Sequence, residues 1–195
     1  MRIALFGGSF NPPHLGHQLA CTVALAAAAP PVDEVWLVPT FQHAFGKPLA
    51  PFADRVALCE LMARPFGERV RVSRIEEELG GASYTLRTVR ALLERRPGIE
   101  LVIVIGADLV EERARWHGWA ELRELVGFLV IGRAGALPEG GAAEGARDLR
   151  VPIELPAVSS TEVRRRLAAG EPTSGLLDER VRAAIDAGRL YRGPA

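Results

Sequence analysis

Short apolar runs alternate along the chain with longer segments whose apolar residues recur every three or four positions. The runs predict β-strands at residues 2–8, 34–40, 69–75, 100–105, 128–131 and 151–155. The periodic segments predict helices at residues 15–29, 50–64, 84–96, 160–168 and 178–187, and a broken helical stretch at 109–125. Residues 134–147, rich in Gly, Ala and Glu, are expected to form a mobile surface loop.

Strands that alternate with helices are typical of an α/β protein. The run 100–105, "ELVIVI", is apolar on both faces, which indicates a parallel sheet covered by helices on two sides. Right-handed crossovers then produce a doubly wound sheet, and ligands bind such sheets beyond the carboxyl ends of the strands. We expect one domain over residues 1–195, with 160–195 as a small C-terminal helical subregion packed on it.

Composition narrows the function classes modestly. The 195 residues carry 24 basic and 24 acidic side chains, so the net charge does not point to nucleic acid, and neutrality leaves a homo-oligomer open. Cys21 and Cys59 lie in apolar helical surroundings without zinc-type spacing, as expected of core residues in a reducing compartment. Because the chain shows no apolar run of membrane-spanning length and no charged-then-apolar leader, we expect a cytoplasmic protein with no membrane partner.

The segment after the first strand, "GGSFNPPHLGH", joins flexible glycines to two histidines at the start of a helix. Gly7, Gly8 and Ser9 let a ligand approach the backbone, and His14 and His17 lie about one turn apart on one face. A helix N-terminus presents unpaired N–H groups and partial positive charge, which suit phosphate. The alternative is an ordinary strand–turn–helix in which the histidines are incidental.

A second helix start, "VSSTEVRRRL", lies far along the chain. Ser159 and Glu162 fit a capping box. The hydroxyls of Ser159, Ser160 and Thr161 would face an anion there, and Arg164, one turn further, could bind a triphosphate through two N–H groups. The alternative is an ordinary capped amphipathic helix.

Together, "GGSFNPPHLGH" and "SSTEVR" resemble the two motifs of the [HT]-x-G-H nucleotidyltransferases, in the same order. The segments "ASYTLRTV", "GADLVEERARWHGW" and "FLVIGRAG" are similar to one branch of that family, the nicotinate-nucleotide adenylyltransferases. The resemblance implies a Rossmann-like fold and adenylyl transfer from ATP to nicotinate mononucleotide, a step of NAD biosynthesis that yields nicotinate adenine dinucleotide and pyrophosphate. It is loosest at residues 40–51, "TFQHAFGKPLAP".

The resemblance also implies a role for individual residues and for Mg²⁺, which would accompany ATP. The catalytic residues would be His14, His17 and Arg164; the ATP-binding residues Gly7, Gly8, Ser9, Phe10, Gly106, Asp108, Arg133, Ser159, Ser160 and Thr161; and the residues for the nicotinate nucleotide His43, Lys47, Tyr84, Thr85 and Trp116.

Physical chemistry supports some of these roles and leaves alternatives. Trp116 could stack on a pyridine ring, or it could be a half-buried core residue, a place that suits Trp119 better. The backbone N–H groups of Tyr84 and Thr85 open a helix and could receive the nicotinate carboxylate. Asp108 could instead cap a helix.

Other functions remain open at this point. The same chemistry could act on nicotinamide mononucleotide or phosphopantetheine, or the chain could be a non-catalytic nucleotide-binding module. The four histidines, His14, His17, His43 and His117, all follow predicted strands, which favours a site. The central expectation is spatial: the turns that carry His17 and Arg164 converge on a shared triphosphate.

Overall fold

A computed structural model describes residues 1–44, 46–133 and 148–192, without the side chains of Arg133, Asp148 and Pro152. The strands are β1 (Arg2–Gly8), β2 (Glu34–Pro39), β3 (Val70–Val72), β4 (Glu100–Gly106), β5 (Gly127–Arg133) and β6 (Asp148–Leu155). The helices are α1 (Leu15–Ala27), α2 (Phe52–Ala63), α3 (Ile75–Leu79), α4 (Thr85–Arg95), α5 (Trp119–Leu125), α6 (Ser160–Ala169) and α7 (Glu179–Gly188). Single turns of 3₁₀-helix lie at Ala107–Leu109 and Glu112–Arg115, and Arg64–Arg69 holds two such turns that meet at a kink at Gly67.

The six described strands form one sheet in the order β3-β2-β1-β4-β5-β6, and every neighbouring pair is parallel. The strand order reverses between β1 and β4, which is where a doubly wound sheet opens a crevice at its carboxyl edge. The predicted doubly wound, Rossmann-like parallel sheet is thereby confirmed.

Helices cover both faces of the sheet because its strands alternate side chains between two apolar layers. Ala4, Val102 and Val104 point to one layer, and Ile3, Ile103 and their neighbours point to the other. The first layer is completed by helices α1, α2, α6 and α7, through Cys21, Cys59, Met62, Val163, Val181 and Ile185. The second is completed by α3, α4 and α5, through Ile75, Leu86, Val89, Leu92 and Leu122.

One predicted element is wrong in part, at residues 69–75. The strand covers only Val70–Val72, and the chain then turns into the short helix α3. β3 is an edge strand that pairs with β2 over three residues, and Ile75 leaves it to pack in the core as the first residue of α3. Three glutamates in the first turn favour a helix there. The predicted loop 134–147 lies outside the described residues.

Candidate active site

A cleft of about 900 Å³ opens at the carboxyl edge of the sheet. Its walls come from the ends of β1, β2, β4, β5 and β6 and from the segments that follow them. All four histidines of the chain line it. The predicted residues that line the cleft are Gly7, Gly8, Ser9, His14, His17, His43, Tyr84, Thr85, Gly106, Asp108 and Trp116.

His14 and His17 form a stacked pair at the start of α1. Their ring centroids are 3.7 Å apart, and the backbone N–H of His14 donates to Nδ1 of His17 across 3.1 Å. Because that Nδ1 accepts a hydrogen bond, the proton of a neutral His17 ring lies on Nε2, which makes Nε2 a donor. A Cβ added at Gly16 would lie 3.1 Å from the His14 ring, so glycine is the residue that fits between the two histidines without displacing a ring.

The ring of Phe10 packs against the ring of His17, and Phe10 does not line the cleft. Its side chain is 1% exposed, and its ring lies 4.8 Å from that of His17 and 5.6 Å from that of Phe6. Its backbone has φ +44°, a left-handed conformation that non-glycine residues rarely adopt. The turn is thus held by a buried ring, against which a Cβ on Gly8 would lie at 3.3 Å, whereas nothing lies within 4 Å of a Cβ on Gly7.

The second predicted turn contacts the first. Nη1 of Arg164 donates to the carbonyl of Asn11 at 2.8 Å, and Oγ of Ser160 donates to the carbonyl of Pro12 at 2.9 Å. Nη2 of Arg164 reaches Oγ1 of Thr161 at 3.4 Å. The expectation that the two turns converge in space is confirmed by these contacts.

Of the two reciprocal hydrogen bonds that define a capping box, α6 has one. The Ser159 hydroxyl accepts from the backbone N–H of Glu162 at 3.2 Å, whereas the Glu162 carboxylate binds Arg165 and Arg166. These arginines lower the pKa of Glu162 to about 2. The hydroxyls of Ser159 and Ser160 therefore make bonds within the protein, next to the cleft residues Pro156 and Val158.

Two aromatic segments form the opposite end of the cleft. The ring of Tyr84, before α4, lies 4.8 Å from that of His117. Trp116 lines the cleft and meets Phe128 edge-on at 6.4 Å. Trp119 packs on Phe128 at 5.4 Å and lies under the guanidinium of Arg113 at 5.3 Å. Both tryptophans are half-buried and pack against the same core layer, and of the two only Trp116 also lines the cleft.

The remaining predicted residues lie differently. Lys47 lines a separate depression of about 480 Å³ beside the loop that follows β2. The side chain of Arg133 lies outside the described part of the chain. Gly106 occupies the cap position of the 3₁₀ turn Ala107–Leu109, and Asp108 lies inside that turn, so the helix-cap alternative for Asp108 is wrong.

Among the described residues, three charged side chains that the sequence did not predict line the cleft: Glu76, Glu112 and Arg115. Glu76 of α3 lines the cleft and accepts hydrogen bonds from the backbone N–H of Phe41 at 3.1 Å and from Thr88 at 3.4 Å. Burial raises the pKa of its carboxyl, and these hydrogen bonds partly offset that rise. Arg55 of α2 is buried behind the cleft wall. The only signal in the sequence was an arginine among apolar residues of a helix.

Among the described residues, no group of three or more His, Cys, Asp or Glu could hold a metal ion. In the same part of the chain, no helix has both the length and the apolar character needed to cross a bilayer.

The chain is a Rossmann-like nucleotide-binding α/β protein. This class is defined by the order of the strands, by the crevice where that order reverses, and by turns that lead into helix N-termini suited to phosphate. The model of the cytidylyltransferase-like family matches residues 5–166. A probable nicotinate-nucleotide adenylyltransferase of Anaeromyxobacter dehalogenans (strain 2CP-C) is 45% identical over 194 residues, which cover 98% of this chain and 97% of the relative. One of Myxococcus xanthus is 39% identical, with coverage of 98% and 95%.

Solved structures agree in fold. The nicotinic acid mononucleotide adenylyltransferase of Plasmodium falciparum complexed with NaAD has a TM-score of 0.80 at 17% identity, with 97% of both chains covered. A putative nicotinate-nucleotide adenylyltransferase from Vibrio parahaemolyticus has a TM-score of 0.71 at 23% identity and covers 99% of this chain and 96% of its own. The chain belongs to the cytidylyltransferase-like family and, within it, to the nicotinate-nucleotide adenylyltransferases.

Proposed function

We propose that this chain transfers the adenylyl group of ATP to nicotinate mononucleotide, with release of pyrophosphate. The observation that carries the proposal is the contact of Arg164 with the carbonyl of Asn11, 2.8 Å, which joins the start of α6 to the turn between the cleft residues Ser9 and His14. It holds a guanidinium and the start of α6 against the turn that leads into the histidine pair. Family membership supports the same reaction.

The reaction is an in-line displacement. An oxygen of the 5′-phosphate of nicotinate mononucleotide forms a bond to the α-phosphorus of ATP, and the bond from that phosphorus to the bridging oxygen breaks as pyrophosphate leaves. The attacking oxygen is anionic near neutral pH, so no strong general base is required. Catalysis then consists mainly of positioning and stabilisation of charge on the phosphates.

Three side chains would stabilise that charge. Nε2–H of His17 is oriented as a donor by the bond that its Nδ1 accepts from His14. His14 stacks on it, and the guanidinium of Arg164 presents further N–H groups from α6. The N-terminus of α6 adds partial positive charge and backbone donors.

The other end of the cleft would hold the two nucleosides. We expect Gly106 and Asp108 to contact the adenosine ribose, and Trp116 to stack on the pyridine ring. The first N–H groups of α4, at Tyr84 and Thr85, have no partner within the helix and suit a carboxylate. A neutral amide there forms weaker hydrogen bonds than a charged carboxylate, so the arrangement favours nicotinate over nicotinamide.

The residues present fit Mg²⁺ carried by ATP. Mg²⁺ takes few protein ligands and keeps several waters, and the cleft offers the carboxylates of Asp108 and Glu112 rather than a dedicated cluster. When bound, the ion would neutralise charge on the phosphates during transfer. A cytoplasmic location, a homo-oligomer and the absence of a nucleic-acid partner stay predictions.

Pyrophosphate release from ATP, measured with each acceptor in turn, tests the proposal. We expect turnover with nicotinate mononucleotide that exceeds turnover with nicotinamide mononucleotide or phosphopantetheine by at least tenfold. Comparable rates with nicotinamide mononucleotide would remove the nicotinate assignment. Binding of ATP with no pyrophosphate from any acceptor would favour a non-catalytic nucleotide-binding module.

A further inference from the structure

Arg55 is a buried cation that the proposed reaction does not use. Its side chain is 1% exposed, and its guanidinium donates three hydrogen bonds to backbone carbonyls. Nη2 reaches the carbonyl of Thr40 at 2.7 Å, Nη1 that of Ser9 at 2.9 Å, and Nε that of Ala50 at 2.9 Å.

Two of these carbonyls belong to residues of the cleft wall, and the third lies in the same loop as one of them. Ser9 lies in the glycine turn after β1, whereas Thr40 and Ala50 lie near the two ends of the loop that follows β2. Ser9 and Thr40 both line the cleft. The same loop is held to the first turn a second time, because the backbone N–H of Ala50 donates to Oδ1 of Asn11 at 3.1 Å.

Stability alone does not explain why a charged residue lies at position 55, because its hydrogen-bond partners are neutral carbonyls. A buried ion without a directly bonded counter-ion loses its hydration, and apolar residues of similar volume often replace buried ions without loss of stability. Burial lowers the pKa of Arg55, and Glu76 acts in the opposite direction; a guanidinium nonetheless stays charged at neutral pH. What an apolar residue or a lysine cannot reproduce is the planar fork that holds three carbonyls at once.

We propose that Arg55 is a positioning residue that sets the distance between the glycine turn and the loop after β2. The inference rests on the proposed function, with ATP at the glycine turn and the acceptor nucleotide at the loop residue His43, as the family resemblance implies. An error of about 1 Å in the relative position of two reacting groups can cost on the order of 100-fold in rate. Arg55 then acts on the ternary complex more than on the binding of either nucleotide.

Arg55→Lys and Arg55→Met test this. We expect kcat to fall at least 30-fold in both variants, while the dissociation constant of α,β-methylene-ATP, measured calorimetrically, stays within threefold of the wild-type value. Recovery of kcat to within threefold of wild type in Arg55→Lys would overturn the proposal, because it would show that charge suffices and that the three-way fork is unnecessary.

Matched controls separate positioning from stability. Met62→Ala removes a buried side chain of the same helix, 1% exposed, and lowers stability without touching either wall. Arg69→Met removes an arginine that also binds backbone carbonyls, those of Val32 and Asp33, at the other edge of the sheet. Both controls should keep kcat within threefold. If Met62→Ala has the same melting temperature as the Arg55 variants and loses as much kcat as they do, the proposal is wrong and Arg55 only stabilises the fold.

A measurement without substrate keeps this test apart from the proposed function. Amide hydrogen exchange of residues 9 and 40–44 should speed up at least tenfold in Arg55→Lys, and amides of β4 should not change. Unchanged exchange in residues 9 and 40–44 would overturn the proposal even if the wild-type protein transfers no adenylyl group.

Discussion

The guanidinium of Arg164 donates to the carbonyl of Asn11 across 2.8 Å, although 153 positions separate the two residues. This bond joins the helix start at α6 to the turn after β1, on the side of the cleft where the histidine pair lies. It thus fixes α6 and holds a cation next to the turn between the cleft residues Ser9 and His14.

Substitution of Arg164 tests this double role. We expect Arg164→Met and Arg164→Lys to lower kcat/KM by about 100-fold, since a preorganised donor to transferring phosphate is lost and lysine lacks the fork. The measurement is pyrophosphate release under steady state. Arg165→Met is the matched control, because Arg165 pairs with Glu162 and Glu171 on the surface, and its activity should stay within twofold. A loss of activity in Arg165→Met as large as that in Arg164→Met would contradict the assignment.

His17→Ala should raise the barrier for transfer by about 3 kcal/mol, or on the order of 100-fold in kcat. The reason is the Nε2–H donor, which the bond between His14 N–H and Nδ1 holds in one tautomer. Thr22→Ala, on the same helix but exposed and bonded to the carbonyl of Gln18, serves as the control. A rate for His17→Ala within tenfold of wild type would exclude the proposed mechanism.

Gly118 holds the Trp116–His117 segment close to α4. It has φ +68°, and a Cβ there would lie 2.2 Å from Cδ2 of the buried Leu86. We expect Gly118→Ala to raise KM for nicotinate mononucleotide at least fivefold and to leave KM for ATP within twofold. Gly98→Ala is the control, since Gly98 has φ +86° with nothing within 4 Å of an added Cβ.

Both glycine variants should lose about 1–2 kcal/mol of unfolding free energy from left-handed strain. Only Gly118→Ala should alter the acceptor KM. A similar rise in KM for Gly98→Ala would mean that strain, and not the contact with Leu86, controls the pocket.

The raised pKa of Glu76 predicts that this residue contributes less to the stability of the fold as pH rises. Burial raises the pKa of its carboxyl in the folded state, so the folded protein binds the proton more tightly than the unfolded chain. The contribution of Glu76 therefore becomes less favourable as pH rises from its unfolded pKa through its raised folded pKa. We expect the denaturant midpoint of Glu76→Gln to exceed that of wild type by more at pH 7 than at pH 4.

Glu77, the next residue of α3, supplies a control of opposite sign. Arg74 binds its carboxylate at 2.7 and 2.9 Å and lowers its pKa. Its contribution is present above the unfolded pKa and is lost as pH falls through the folded pKa. Glu77→Gln should thus be less stable than wild type at pH 7, and the difference should shrink toward acid pH. The same sign in both variants would contradict the burial of Glu76.

The sequence by itself determined the alternation of strands and helices, because apolar periodicity is local. β1 begins and ends at the predicted residues, and the two-sided apolar run of β4 correctly indicated helices on both faces. It also determined which segments follow the strands, and therefore that the four histidines would meet at one edge of a parallel sheet.

Only the tertiary structure decided which charged residues lie inside. The helical repeat places Arg55 on the face of Cys59 and Met62, but nothing local shows which carbonyls it binds. Nothing local distinguishes Glu76 from Glu77, because the burial of Glu76 depends on N–H groups supplied by another loop. The contact between Arg164 and Asn11 likewise depends on β6 pairing beside β5, which brings α6 back to the start of the chain. Long-range packing sets such contacts, and local periodicity carries no information about them.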